Sequence, residues 1–88
     1  GALYFGCYLR RRGDLHRALG VWVRAFEIGG SIVAGVQAAK LLEHDLSALD
    51  AALDIVDKLL NACDGSTPRL VGELNHRRAR LLRRIASS

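Results

Sequence analysis

The sequence predicts an all-α protein, and composition and periodicity both point to that class. The chain has 88 residues, of which 50% are hydrophobic, and a single proline. Leucine, alanine and arginine, all good helix formers, dominate it. Apolar residues recur at steps of three and four, and no segment has the strict alternation of a half-buried strand. We therefore expect one domain over residues 1–88, built from about five helices.

Glycines and capping residues set the bounds of a first helical hairpin, residues 2–29. Its first helix spans residues 2–12 and ends at Gly13, and Asp14 is the expected cap of the second helix. The glycine pair 29–30 ends that second helix. Its apolar face follows a helical stripe and is expected to lie in the core. The residues of this face are Leu15, Ala18, Leu19, Trp22, Ala25 and Phe26.

A second hairpin, residues 31–64, has a similar plan. Ser31 is the expected cap of the third helix, and either Asp45 or Ser47 is that of the fourth. The expected inward positions of the third helix are Ile32, Val36, Ala39 and Leu42 or Val33. Those of the fourth are Leu49, Ala52, Leu53, Val56, Leu59, Leu60 and Cys63, with Asp64 and Gly65 at its end.

The last helix, residues 67–86, opens with Thr67 and Pro68, which is a hydroxyl cap followed by proline at the first helical position. All the connections are short, so consecutive helices are expected to pack as antiparallel neighbours. The apolar side of this helix consists of Leu70, Val71, Leu74, Leu81, Leu82 and Ile85.

The second and fourth helices correspond at a separation of 34 residues. Ala18 corresponds to Ala52, and Trp22 corresponds to Val56. This separation is the period of the tetratricopeptide repeat, in which small residues let two helices approach closely. The chain resembles a degenerate pair of such repeats, and the resemblance implies a right-handed stack of antiparallel helical hairpins.

The small residue of each repeat's first helix is less regular. Gly6, preceded by Phe5, provides it in the first copy, and we expect Phe5 to pack in the core beside Trp22. Unbroken spacing places Lys40 at the equivalent position of the second copy. If the turn between the third and fourth helices holds two extra residues, Ala38 takes that position instead.

A narrower resemblance rests on three segments, residues 9–19, 40–53 and 73–85. The second contains a helix ending in Leu-Leu-Glu-His, a short turn and an Ala-Leu helix, and the third is an arginine-rich closing helix. Together they are similar to the C-terminal helical region of bacterial YprB-type proteins, which carry a ribonuclease-H-like exonuclease domain ahead of such repeats. None of that domain's catalytic carboxylates has a counterpart here. Because the chain begins at Gly1 and contains no methionine, we expect it to be part of a longer protein.

These features predict a non-catalytic interaction module. Its partner is expected to be a protein segment or the parent's own catalytic domain, bound in a groove lined by the first helix of each repeat. Self-association through the unpaired ends of the stack is a further alternative. The candidate contact residues are Tyr4, Tyr8, Arg11, Gln37 and Lys40.

Charge distribution supports an alternative function. The chain has a net charge of +4, but the segment 40–64 is acidic and the segment 65–88 carries six arginines against Glu73 alone. A row of unopposed guanidinium groups on one helix face can follow a phosphate backbone, so the alternative is a nucleic-acid-binding accessory region. The arginines concerned are Arg69, Arg77, Arg78, Arg80, Arg83 and Arg84.

Other chemistry is not expected from this sequence, which contains no motif for a nucleophile, a cofactor or a metal. His16 and His44 have no converging ligands, and Asp50, Asp54 and Asp57 are expected to form a solvated helix face. Cys7 and Cys63 are expected to be buried free thiols of a cytoplasmic protein. No apolar run is long enough for a membrane span.

Overall fold

The computed structural model describes residues 2–63 and 67–87, and within them the chain is helical throughout apart from short connections. No strand occurs in this part of the chain, so the predicted all-α class is confirmed. The helices are α1 (Ala2–Arg11), α2 (Leu15–Glu27), α3 (Ile32–Lys40), α4 (Leu49–Ala62) and α5 (Pro68–Ser87), and a π-helical segment, Leu41–Asp45, continues α3. The predicted end of the fourth helix at Asp64 and Gly65 lies outside the described residues.

Consecutive helices pack against one another along the whole chain, and α1 also contacts α3. The described residues span 34 × 30 × 18 Å, so the smallest dimension is about the thickness of two packed helices. The third helix is central, because it packs on both α2 and α4.

The predicted helix stops and one predicted cap agree with the structure. Gly13 and Gly30 have φ angles of 81° and 70°, in the left-handed region that follows many helix ends. The Ser31 hydroxyl accepts a hydrogen bond from the backbone N–H of Ala34 at 3.2 Å, so it caps α3 as expected. The last helix begins at Pro68 as predicted.

Two other predicted caps are wrong. The Asp14 side chain makes no capping hydrogen bond and instead accepts one from Arg17 at 3.4 Å. The residue that precedes α4 is Ala48, so neither Asp45 nor Ser47 caps that helix. Asp45 lies in the π-helical segment, where its carboxylate accepts a hydrogen bond from Arg10 of α1 at 3.2 Å.

The inward face of α3 is made of small residues and differs from the predicted one. Ile32 and Val36 are only partly buried, and Val33 is 56% exposed. The buried face of α3 consists of Ala34, Gly35, Ala38 and Ala39. The reason is the close approach of two neighbouring helices, since a Cβ at Gly35 would lie 2.7 Å from Leu59 Cδ2 and 3.0 Å from Phe26 Cδ1. The prediction is confirmed for Ala39, and also for Leu42, which is buried in the π-helical segment.

The first two helices approach each other closely at one point. A Cβ at Gly6 would overlap the Nε1 atom of Trp22, so the indole ring occupies the space that a side chain would need. Trp22 is fully buried, as predicted, but Phe5 is 45% exposed and does not join it in the core. The Nε1 atom of Trp22 has no hydrogen-bond acceptor among the described residues.

The π-helical segment changes which side chains turn inward. The backbone N–H of Leu46 bonds to the carbonyl of Leu41 at 3.0 Å, five residues earlier. Three consecutive residues, Leu41, Leu42 and Glu43, are buried here. A charged side chain thereby reaches the protein interior at the point where α5 crosses.

Candidate functional site

Three arginines of α5 converge on the buried carboxylate of Glu43. Arg77, Arg80 and Arg84 are spaced at i, i+3 and i+7, which places them on one face of the helix. The Glu43 side chain is 0% exposed, whereas those of the three arginines are 18%, 37% and 44% exposed in that order. The row of arginines predicted on α5 therefore exists, but the three members that contact Glu43 are bound to the protein itself.

The contacts within this cluster are unequal. Arg80 binds both oxygens of Glu43, with Nε 2.8 Å from Oε2 and Nη2 2.9 Å from Oε1. Arg77 also donates from Nη1 to Oε1. Arg84 Nη1 lies 3.5 Å from Oε2 and completes the cluster as its most loosely held member. The bidentate contact of Arg80 is the geometry in which guanidinium and carboxylate bind most strongly.

The cluster keeps Glu43 ionised. Burial alone raises the pKa of this carboxyl group, but hydrogen bonds and charge from Arg80 and Arg77 outweigh burial and leave the pKa below its ordinary value. The hydrogen bond to Glu43 in turn raises the pKa of Arg80. His44 Nε2 lies 3.7 Å from Glu43 Oε1. Its imidazole adds a fourth positive charge to the cluster only when it is protonated.

The expectation that the arginines of α5 are unopposed is therefore wrong. Besides the three on Glu43, Arg78 donates to Asp57 of α4 at 2.7 Å. Among the described residues, Arg69 and Arg83 are the members of the predicted set that contact no carboxylate. Sequence reasoning missed Glu43 as their partner. The available signal was a glutamate at the end of the apolar run Leu41–Leu42 together with arginines at helical spacing.

A second cluster lies on the outer face of α1. Tyr4, Tyr8 and Arg11, three of the five predicted partner contacts, line one depression of 390 Å³ together with Cys7. Tyr4 is 81% exposed and Tyr8 is 45% exposed. Residues at i, i+4 and i+7 share a helix face, which explains why the structure brings these three together.

Tyr8 is held in place by its neighbours on the same helix. Its ring stacks on that of Phe5, with the ring centroids 6.4 Å apart and an angle of 13° between the ring planes. Its hydroxyl accepts a hydrogen bond from Arg12 Nη1 at 2.7 Å. Tyr8 also lines a second depression, of 310 Å³, with Phe5 and Arg12. The half-exposed ring is thus in contact with two side chains of its own helix, Phe5 and Arg12.

The other two predicted contacts lie on α3 and do not line either of these depressions. Gln37 is partly buried and Lys40 is exposed at the end of the helix. The two helices that carry the predicted groove are in contact, but neither of these two depressions extends onto α3. Cys7 was expected to be buried and is exposed, so that expectation is wrong, although both cysteines are free thiols.

The acidic face of α4 is partly used within the molecule. Lys58 lies 3.2 Å from Glu27 of α2 and 3.3 Å from Asp54, and hydrogen bonds to these two groups raise the pKa of Lys58. Asp57 binds Arg78, and Asp50 is exposed. No group of three or more potential metal ligands occurs within residues 2–63 and 67–87.

Comparison of the chain with protein-family models, curated proteins and solved structures finds no match. Within the described residues, none of the helices combines the length and apolar character needed to cross a bilayer.

Proposed function

We propose that this chain is a non-catalytic helical-repeat module that binds an acidic protein segment through the outer face of α1. The observation that carries this proposal is the pair of exposed tyrosines, Tyr4 and Tyr8, which line one depression with Arg11. Tyrosine and arginine are enriched where protein interfaces derive most of their binding energy. The parent's own ribonuclease-H-like domain, implied by the YprB-type resemblance, is one source of such a segment.

Pre-organisation of Tyr8 supports a binding role. Its ring is fixed by stacking on Phe5 and by the hydrogen bond from Arg12, so little side-chain entropy is lost on binding.

The charge of the surface determines the chemistry of the partner. Arg11 contacts no carboxylate among the described residues, and the arginines beside it make the surface basic, so an acidic segment with apolar anchors complements it.

A tetratricopeptide-type stack of hairpins is part of the proposal. In its support, Ala18 and Ala52, and likewise Trp22 and Val56, are 0% exposed at a spacing of 34 residues. Ala38 is also fully buried, while Lys40 is exposed, which favours Ala38 as the counterpart of Gly6. The π-helical segment overlaps the turn, residues 43–47, where the two extra residues of that alignment fall.

The test is a selection of peptides of 12 to 16 residues, roughly the length that a helical groove accommodates, displayed against the wild-type chain. Selected peptides are expected to be acidic and to contain apolar anchors. Calorimetry then compares the wild type with a variant carrying Tyr4→Ala, Tyr8→Ala and Arg11→Ala, which is expected to bind at least about tenfold more weakly.

A matched control carries Arg24→Ala and Ile28→Ala, which remove an exposed arginine and an exposed apolar side chain from the α2 end of the molecule. This variant is expected to bind as the wild type does. Unchanged affinity in the Tyr4, Tyr8 and Arg11 variant would overturn the proposal.

The alternative of nucleic-acid binding through α5 receives less support. Four of the six arginines concerned, Arg77, Arg78, Arg80 and Arg84, already contact carboxylates of this chain. The five aromatic residues all lie in the first two helices, so α5 offers no ring on which a base can stack. A continuous track for a phosphate backbone is thus interrupted by internal ion pairs.

A further inference from the structure

We propose that the C-terminal half of α5 holds a binding site for a single phosphate group, formed by Arg83 and Arg84 and supported by Arg80. These residues line one depression of 530 Å³ with Ser87 and with Leu49 of α4. The site lies outside the α1 surface described above, so it does not depend on the proposed protein partner.

Local charge imbalance is the first argument. Three guanidinium groups share the single carboxylate of Glu43, which leaves two positive charges uncompensated within that cluster. Arg83 adds another, because it contacts no carboxylate among the described residues. Like charges held close together in a partly desolvated place repel one another, and an anion removes that cost. A phosphate monoester carries about 1.5 to 2 negative charges near neutral pH and would offset at least about half of these three positive charges.

The unequal contacts with Glu43 locate the site. Arg77 and Arg80 are committed to the carboxylate, whereas Arg84 is 3.5 Å away and 44% exposed. Arg84 and Arg83 therefore have free N–H donors on the side of the depression. Glu43 holds Arg80 in a fixed position beside them through two hydrogen bonds. The buried carboxylate thus orients part of an anion site without facing the anion itself.

The same geometry favours a small anion, such as a single phosphate group, over a nucleic-acid strand. Arg77 is turned toward Glu43 and Arg78 is bound to Asp57, so the free guanidinium groups of the C-terminal half do not continue along the helix. Leu49 gives the depression one apolar wall. An organic phosphate monoester is therefore expected to bind more tightly than free phosphate, because its ester group contacts that wall.

The experiment is calorimetric titration of the whole chain with inorganic phosphate and with phenyl phosphate, at constant ionic strength maintained with chloride. Two double variants with the same change in net charge are compared. One carries Arg83→Gln and Arg84→Gln, and the other carries Arg24→Gln and Arg69→Gln on exposed positions outside the depression. Circular dichroism verifies the helical content of both variants.

Loss of the two guanidinium groups at the site is expected to weaken phosphate binding by at least about tenfold. The control double variant is expected to weaken it by less than about twofold. Tighter binding of phenyl phosphate identifies a monoester as the ligand class, and equal affinity identifies free phosphate. Equal weakening in both double variants, or no binding of either ligand beyond that of chloride, would overturn the proposal. Binding of single-stranded DNA that is insensitive to Arg83→Gln and Arg84→Gln, without binding of the small phosphates, would overturn it as well.

Discussion

The first and last helices are both rich in arginine, yet they use that charge in opposite ways. In α1, Arg11 lies on the outer face with two exposed tyrosines, while Arg10 reaches Asp45 in the π-helical segment. In α5, three arginines turn inward to Glu43. One buried carboxylate accounts for the difference. A count of charges along the chain therefore does not reveal which basic helix is available to a partner.

The largest expected effect follows from removing that carboxylate. Glu43→Ala leaves three partly buried guanidinium groups without their shared acceptor and is expected to lower the free energy of unfolding by about 3 kcal/mol. Urea denaturation followed by circular dichroism measures this. Glu73→Ala, on the exposed surface of α5, is the matched control and is expected to change stability by less than about 0.5 kcal/mol. Similar losses in the two variants would contradict the assigned role of Glu43.

The arginines around Glu43 are expected to differ from one another and from those of α1. Arg80→Ala removes the bidentate contact and is expected to cost about 2 kcal/mol, because it leaves a buried carboxylate with poorer partners. Arg84→Ala is expected to cost about 0.5 kcal/mol, and Arg11→Ala less than that while it weakens peptide binding. Denaturation and calorimetry on the same three variants separate the arginines that stabilise the fold through Glu43 from the arginine that contacts the peptide. An equal cost for Arg80 and Arg11 would remove the distinction.

Acid is expected to weaken the α5 contact selectively. Because the pKa of Glu43 is lower in the folded chain than in the unfolded chain, its contribution to stability is present above the unfolded pKa and is lost as the pH falls through the folded pKa. Stability is thus expected to fall below about pH 4. Glu43→Gln should be less stable at neutral pH and should decline less steeply in acid. A parallel decline in wild type and variant would show that other carboxylates govern acid unfolding.

A small effect is also expected at the exposed ion pair between the last two helices. Asp57 and Arg78 are 46% and 44% exposed, so solvent screens their interaction. Asp57→Asn is expected to lower the free energy of unfolding by at most about 0.5 kcal/mol, and 0.5 M salt should remove most of the difference. Denaturation at two salt concentrations checks this. A cost comparable to that of Arg80→Ala would mean that α5 is held by surface pairs more than by Glu43.

Much of the helical arrangement could be predicted from the sequence because local signals determine it. Gly13, Gly30, Ser31 and Pro68 each set a helix end through their own backbone or side-chain chemistry. The burial of Trp22 follows from the apolar stripe of its helix. These effects operate within a few residues and do not require knowledge of the neighbouring helices.

The rest depended on contacts between segments distant in the chain. Small residues face inward on α3 because helices on two sides approach it, and periodicity alone favoured the larger Ile32 and Val36. Asp45, one of the two residues expected to cap the fourth helix, instead binds Arg10, which lies 35 residues away in the chain. The outward tyrosines on α1 followed from spacing. The contact of the α5 arginines with Glu43 could not be predicted from spacing, because it requires the π-helical segment that buries Glu43.

The close packing of Trp22 against Gly6 also provides a spectroscopic reporter. Trp22 is the one tryptophan of the chain, and its ring is fully buried against the first helix. Its fluorescence emission is therefore expected at short wavelength in the folded chain, and separation of α1 from α2 would shift it to the red. Far-ultraviolet circular dichroism reports all the helices together. A red shift that precedes the loss of helical signal would reveal that the first helix detaches before the others unfold.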